Sequence, residues 1–296
     1  IDSSEIERER KLNKTVLLVG LGNMGAALAR TLLDAGYETW VWNRTKEKAG
    51  TLLKKGAKWS DDVWAALGSV DHVVMCLSNY VNSVELLSTC SDLDNKALIQ
   101  LTTGTASDAS SFENLVKQKR GRYIDGAILG YPSNIGDPRC SLLVAGNSQA
   151  WEDSEALIIA LGGKSQYLGE EVGAPSHLDH ALIAPSLIMQ MAVIQGMHMA
   201  KKAGVDLEFY SKMISGLPAS LKADQERHTR AIIDGDFSEV QASIRTWKEA
   251  LDRILEEGKG SNFNAELLSG IAEVLKHGQA QGVGEEDLAA LIKTMG

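Results

Sequence analysis

The sequence predicts an α/β domain followed by an all-α domain, the two joined by one long helix. Three observations carry this. From residue 15 to about 170, short β-like runs alternate with helical ones, the pattern of a mostly parallel sheet covered on both faces. From about 175 onward only helical periodicity remains. Between the two, residues 180–200 contain no Asp, Glu, Lys or Arg. A chain of 296 residues also suits two cores better than one.

The opening "IDSSEIERERKLNKT" is charged rather than apolar, so residues 1–13 are expected to be a solvated extension rather than a secretory signal, and the protein cytoplasmic. "TVLLVG" follows as a buried strand, "NMGAALARTLLDAG" as a helix, "YETWVWN" as a second strand and "TKEKAGTLLKKG" as a second helix. "HVVMCLS", "KALIQLT", "YIDGAIL" and "CSLLVAG" read as further strands, most of them separated by helical segments. The second half reads as helices near 178–203, 206–215, 218–233, 239–257, 263–279 and 285–294. Breaks are expected at Gly204, Gly216-Leu217-Pro218, Gly235, Gly258-Lys259-Gly260 and Gly282.

The net charge of −9 argues against nucleic acid, whose phosphates call for clustered Lys and Arg, and makes no case for a membrane surface. Cys76, Cys90 and Cys140 are an odd number without metal-ligand spacing and read as reduced thiols; no metal site is expected. His177, His180 and His198 read as helix-surface or interface residues. About 18 consecutive apolar residues suffice to cross a bilayer. Here His180, Pro185, Ser186, Gln190, Gln195 and His198 interrupt the run, and a buried helix of a soluble protein is expected instead.

"VGLGNMG" supplies Gly20, Gly22 and Gly25 after a strand and at the opening of a helix, the setting in which a GxGxxG pattern binds a dinucleotide. Gly20 allows the tight turn, Gly22 lets a pyrophosphate approach the backbone, and Gly25 lets helix and strand pack closely. At the end of the second strand, where an acidic residue selects NAD, the sequence reads "VWNRTKEK". Asn43 does not repel a 2′-phosphate, Arg44 pairs with one, Thr45 donates a hydrogen bond and Lys48 lies a turn further on, so NADPH/NADP+ is the expected cofactor. The first domain is therefore of the Rossmann type and spans 14–174. An interdomain helix over 175–204 and a helical dimerisation and substrate domain over 205–296 complete the chain.

With "VGLGNMGAALARTLLDAGY", "WNRT", "LTTGT" at 101–105 and "DGAILGYPSNIG" at 125–136, the chain from about residue 14 resembles the imine reductases of the β-hydroxyacid dehydrogenase superfamily. The resemblance implies cofactor contacts from Leu21, Asn23 and Met24 in the fingerprint loop, from Leu77 and Ser78 after a strand, and from Thr102 and Thr103. Hydroxyacid dehydrogenases of that superfamily carry a catalytic lysine six residues after the glycine that opens the interdomain helix. Six residues after Gly173 stands Asp179, while the nearest lysines are Lys164 and Lys201. Imine reductases resemble this chain in placing a non-lysine residue there.

The exchange has a chemical sense. Alcohol oxidation uses a base and a cationic group, whereas an imine is most electrophilic as its iminium cation, which a carboxylate stabilises. Burial raises such a carboxylate's pKa and a bound iminium lowers it; the reading favours an anionic Asp179 paired with the iminium over direct proton donation. Alone, Asp179 reads equally as a helix N-terminal residue favoured by the dipole. At 100° per residue, however, Asp179, Ser186 and Gln190 fall within roughly 20° of one line, a polar stripe on an apolar helix.

The resemblance also implies a substrate region with departures from the family. Leu187 stands where an aromatic residue is common, Trp247 where a Gln is, and Gly130-Tyr131 where Ala-Val is, and Pro185 is expected to disturb the helix. Tyr131, Ser186, Leu187, Gln190 and Trp247 are the candidate pocket residues. A homodimer is implied, with the active site between one protomer's cofactor domain and its partner's helical domain. The substrates implied are an imine, or a carbonyl with an amine. Two other readings remain: a β-hydroxyacid or semialdehyde dehydrogenase, and a non-catalytic NADP-binding sensor.

Overall fold

The computed structural model describes residues 14–216, 218–261 and 265–295. The N-terminal extension and Leu217 lie outside them. The chain divides between Ala184 and Pro185 into two compact units.

The first unit is built on an eight-stranded sheet. Its strands are β1 (Thr15–Val19), β2 (Glu38–Trp42), β3 (Lys58–Trp59), β4 (His72–Met75), β5 (Ala97–Gln100), β6 (Arg122–Leu129), β7 (Ser141–Gly146) and β8 (Gln166–Tyr167). The order across the sheet is β3-β2-β1-β4-β5-β6-β7-β8, and every pair is parallel except β6 with β7. The helices between strands are α1 (Asn23–Asp34), α2 (Gly50–Lys54), α3 (Tyr80–Ser88), α4 (Ala106–Gln118) and α5 (Ser148–Leu161).

Alternate residues of the apolar strands feed two cores. Val16, Leu18, Val74, Ile99 and Val144 pack with α1 and α5, while Leu17, Val19, Val73, Met75 and Leu98 pack with Leu87, Phe112 and Val116 of α3 and α4. Burial on both faces is why these strands read as unbroken apolar runs. The sequence reading missed β3 and β8, which at two residues are too short to show any alternation. At the β3 edge, Lys58 lies over the Trp40 ring and Lys46 over the Trp59 ring, placing charge where an exposed strand edge would otherwise invite pairing.

α6 runs unbroken from Ala174 to Lys202 and contains Pro185. The expected disturbance at the proline does not end the helix. Proline forfeits one backbone hydrogen bond and costs about 3 kcal/mol in a helix interior, which a helix of 29 residues absorbs.

The second unit holds α7 (Leu207–Ile214), α8 (Pro218–Asp234), α9 (Ile244–Ser261), α10 (Glu266–Ala280) and a 3-10 helix at Leu288–Thr294. Gly204, Gly235 and Gly282 fall just past helix ends, as read. Two boundaries differ. The helix expected over 239–257 starts at Ile244 and continues through Gly258-Lys259-Gly260 to Ser261, because single glycines cost only about 1 kcal/mol each in a helix. The helix expected over 285–294 is the 3-10 segment. Phe237, Ile244, Leu251, Leu275 and Leu291 form the core of this unit. Buried Asp287 ties α8 to the 3-10 segment by pairing with Arg227 and His228.

The sequence led us to expect a buried α6. In the single chain, residues 180–194 are exposed throughout, among them Leu182, Ile183, Leu187, Ile188, Met189, Met191 and Ile194. Among the described residues this is a helix long and apolar enough to cross a bilayer by length and composition. Its first turns are different: Pro175, Ser176 and Asp179 are buried.

Candidate active site

The parallel strands β1, β4 and β5 end side by side, and the sheet order reverses between β1 and β4. Loops leaving such neighbouring ends in opposite directions open a crevice. Here it is a cavity of about 520 Å³ lined by Gly20–Gly25, Trp42–Thr45, Lys48, Cys76–Ser78, the α3 residues Asn82, Glu85 and Leu86, and Thr89 just past the end of α3.

The three glycines differ in what they face. Gly20 has φ +102°, and a Cβ there would stand 2.2 Å from the Cys76 carbonyl oxygen. A Cβ on Gly25 would stand 1.9 Å from the Gly20 carbonyl oxygen. Both glycines are demanded by the protein itself. Gly22 is not: its φ of −67° suits any residue, and a Cβ there would meet nothing within 4 Å. Gly22 also caps α1 without any side-chain hydrogen bond, so the amides that open the helix are left for an anion. The open space beside Gly22 and the uncapped helix end together fit a dinucleotide pyrophosphate.

Asn43 holds two loops in register. Its Oδ1 accepts the Leu21 amide at 3.0 Å and its Nδ2 donates to the Thr45 carbonyl at 3.0 Å. Arg44 and Lys48 line the cavity, and neither has a carboxylate partner among the described residues. That leaves two uncommitted cations at one end of the crevice, an arrangement suited to a phosphate. Cys76 lines the cavity as a neutral thiol, its pKa pushed up to about 11 by burial.

The structure places the remaining candidates in different settings. Thr102 is buried, its Oγ1 accepting the Leu77 amide at 2.9 Å, so its hydroxyl joins the ends of β4 and β5. Thr103 is exposed, and neither threonine lines the cavity. Ser78 accepts a hydrogen bond from the Asn82 side chain. Tyr131 is 67% exposed at the start of a 3-10 turn. Ser186, Leu187 and Gln190 lie on exposed α6, and Trp247, 49% exposed, lies on α9. Asn82, Glu85, Leu86 and Thr89 escaped the sequence reading. Their signal was the position of α3 directly after "CLSN", which turns one helix face toward the fingerprint loop.

Asp179 is 6% exposed and lies in the second turn of α6. The helix has no acidic residue in its first turn, so Asp179 stands beyond the free amides that would explain it as a helix-end residue. Its carboxylate accepts no hydrogen bond among the described residues. Burial pushes its pKa up, with His180 pulling the other way. A carboxylate partly withdrawn from water without a hydrogen-bond partner among the described residues is receptive to a cation.

Residues 15–169 match the family model described as the NAD binding domain of 6-phosphogluconate dehydrogenase. The chain belongs to that family. A second model, the NAD-binding domain of NADP-dependent 3-hydroxyisobutyrate dehydrogenase, matches residues 184–295 of this 6-phosphogluconate dehydrogenase-like chain. A curated relative, the NADPH-dependent reductive aminase of Aspergillus oryzae, is 29% identical over 290 residues, covering 95% of this chain and 97% of the relative. Among solved structures, the imine reductase from Myxococcus stipitatus in complex with NADP+ superposes with a TM-score of 0.92 at 29% identity, over 95% of this chain and 100% of that one. The reductive aminase from Aspergillus terreus in complex with NADPH and ethyl levulinate gives 0.90 at 25% identity, over 96% and 99%. The family model makes a nicotinamide dinucleotide the cofactor of this family member.

Proposed function

We infer that this chain reduces imines or iminium ions to amines with NADPH, and forms the same products from a carbonyl and an amine. The observation that carries the reading is Asp179: a residue only 6% exposed, whose carboxylate accepts no hydrogen bond among the described residues, six residues after Gly173, where a hydroxyacid dehydrogenase needs a cation. The named activities of the similar proteins from Aspergillus oryzae, Myxococcus stipitatus and Aspergillus terreus support it.

NADPH supplies the hydride. The chain's own residues do the rest. The amides of Asn23, Met24 and Gly25 would hold the pyrophosphate, and Arg44 with Lys48 would hold the 2′-phosphate. Asp179 holds the positive charge on the substrate nitrogen while the carbon is reduced. Burial raises the energy of its lone carboxylate, so pairing with an iminium is favoured over pairing with water, and the interaction is strongest where the nitrogen carries most charge.

An NADPH-consumption screen with cyclic imines, ketone and amine pairs, ketoacids and aldehydes tests this. Turnover of imines without turnover of ketoacids is expected. Oxidation of 3-hydroxyacids with NADP+ would instead establish the dehydrogenase reading, and cofactor binding with no turnover the sensor.

A homodimer belongs to this reading, in a cytoplasmic setting. An exposed helix carrying eight large apolar side chains between residues 180 and 194 needs a cover, and the interrupted polar stripe suits a second copy better than lipid. Light scattering at assay concentration should give twice the chain mass without detergent. A stable active monomer, or a chain that dissolves only in detergent, would refute it.

A further inference from the structure

Asp125 joins three separated parts of the first unit. It stands on β6 opposite Gln100 of β5 and is 1% exposed. One carboxyl oxygen accepts the Tyr80 hydroxyl at 3.1 Å, and the other accepts the Gly173 amide at 3.1 Å. Tyr80 opens α3, and Gly173 is the residue before α6. The Tyr80 hydroxyl also lies 3.3 Å from that of Tyr123, beneath Asp125 on the same strand.

The junction is tight on every side. Gly173 has φ +99°, and a Cβ there would stand 2.8 Å from the Ala106 Cβ at the start of α4. A Cβ on Gly104 would stand 2.3 Å from the Tyr80 ring. The capping box of Thr105 with Asp108 fixes the α4 end against which Gly173 rests. The Gly173 amide is a buried donor whose acceptor among the described residues is this one carboxyl oxygen, and the Gly173 carbonyl accepts the His177 amide to begin the helix. Asp179 follows six residues later, about 9 Å along the axis at 1.5 Å per residue. Placement of the helix start therefore carries directly to the carboxyl two turns on.

We propose that Asp125 is a positioning residue: held by Tyr80, it fixes the start of α6 through the Gly173 amide and so sets where the Asp179 carboxyl stands. This rests on the reading of Asp179 given above, although the anchoring can be measured without turnover. The groups facing Asp125 are the Tyr80 and Tyr123 hydroxyls and the amides of Gly126 and Gly173; burial raises its pKa to about 6 and these donors oppose the rise.

Three variants of the full chain separate position from charge. Asp125→Asn keeps an acceptor for the Gly173 amide, Asp125→Ala removes it, and Tyr80→Phe removes the group that holds the carboxyl. Hydrogen exchange across residues 173–180 is read alongside kcat for a cyclic imine, KM, and NADPH affinity. In Asp125→Ala, exchange should rise and kcat fall by about 10- to 100-fold, the scale of one buried donor left unpaired, while NADPH affinity holds. Asp125→Asn should stay close to wild type in both, and Tyr80→Phe should fall between. If Asp125→Ala does not fold, Tyr80→Phe decides: unchanged exchange and unchanged kcat overturn the proposal. An Asn variant as impaired as the Ala variant overturns it as well. A wild-type chain inert toward imines would defeat the reading of Asp179, and the exchange measurement would still decide the anchor.

Discussion

Adding one methyl group at Gly22 and, separately, at Gly25 should produce opposite failures. At Gly25 the new Cβ would stand 1.9 Å from the Gly20 carbonyl oxygen, where ordinary contact begins at 3.4 Å, so α1 must retreat from β1 by more than 1 Å. Overpacking of that kind costs about 1–3 kcal/mol, and the obstacle here is backbone, which cannot rotate aside. Gly25→Ala should therefore lower the melting temperature of the first unit and weaken NADPH through the displaced helix. At Gly22 the Cβ meets nothing within 4 Å and φ is −67°, so Gly22→Ala should leave stability within about 0.5 kcal/mol. The same methyl occupies the side from which the pyrophosphate reaches the backbone. NADPH affinity should fall by at least about tenfold, near 1.4 kcal/mol. Thermal melts of the apo protein and fluorescence titration with NADPH measure the two effects. A Gly22→Ala protein that binds NADPH like wild type would refute the placement of the pyrophosphate, and a Gly25→Ala protein with unchanged melting would refute the packing argument.

Asp179→Asn keeps shape and removes charge, so imine turnover should fall by roughly 10- to 1000-fold, about 1.4–4 kcal/mol, with NADPH affinity unchanged; full turnover would make Asp179 structural. Because desolvation disfavours its ionised form and its carboxylate accepts no hydrogen bond among the described residues, the same variant should not melt earlier at neutral pH. Arg44→Ala should weaken NADPH by about 1.5–3 kcal/mol and leave NADH nearly unaffected, and equal losses would sink the phosphate assignment. Asp125 has its pKa raised to about 6 in the folded chain, so its contribution to stability is fully present below the ordinary carboxylate range and is lost as pH rises through 6. Denaturant melts of wild type and Asp125→Asn should therefore diverge in favour of the Asn variant between about pH 4 and pH 8, by at most about 3 kcal/mol. A difference independent of pH would refute the shift.

The fold was legible because its signals are local. Strand, glycine turn and helix follow one another in "TVLLVGLGNMGAALAR", and burial of β1, β4 and β5 on both faces wrote apolar runs that need no partner to be recognised. Arg44 and Lys48, the residues proposed to hold a 2′-phosphate, were legible for the same reason, since both sit close after one strand end. What escaped was what distance in sequence hides. Glu85 and Thr89 reach the crevice because α3 packs beside β4, a fact of tertiary placement. The tie between Asp125 and Gly173 spans 48 residues and announces itself only as a buried polar side chain. Gly258 misled the reading of one helix end, because a propensity of about 1 kcal/mol per glycine yields to the packing of a long helix.

The two bonds of Asn43 constrain anyone who would retune this protein to the cheaper nucleotide. Because one amide side chain fastens both the glycine loop at Leu21 and the turn at Thr45, installing an acidic residue at that position would keep an acceptor for Leu21 but surrender the donor to Thr45. Cofactor exchange by the most obvious single substitution would thus loosen the turn it was meant to reprogramme. Arg44 and Lys48 bear no such double duty, and a laboratory lineage drifting toward NADH has its open road through them.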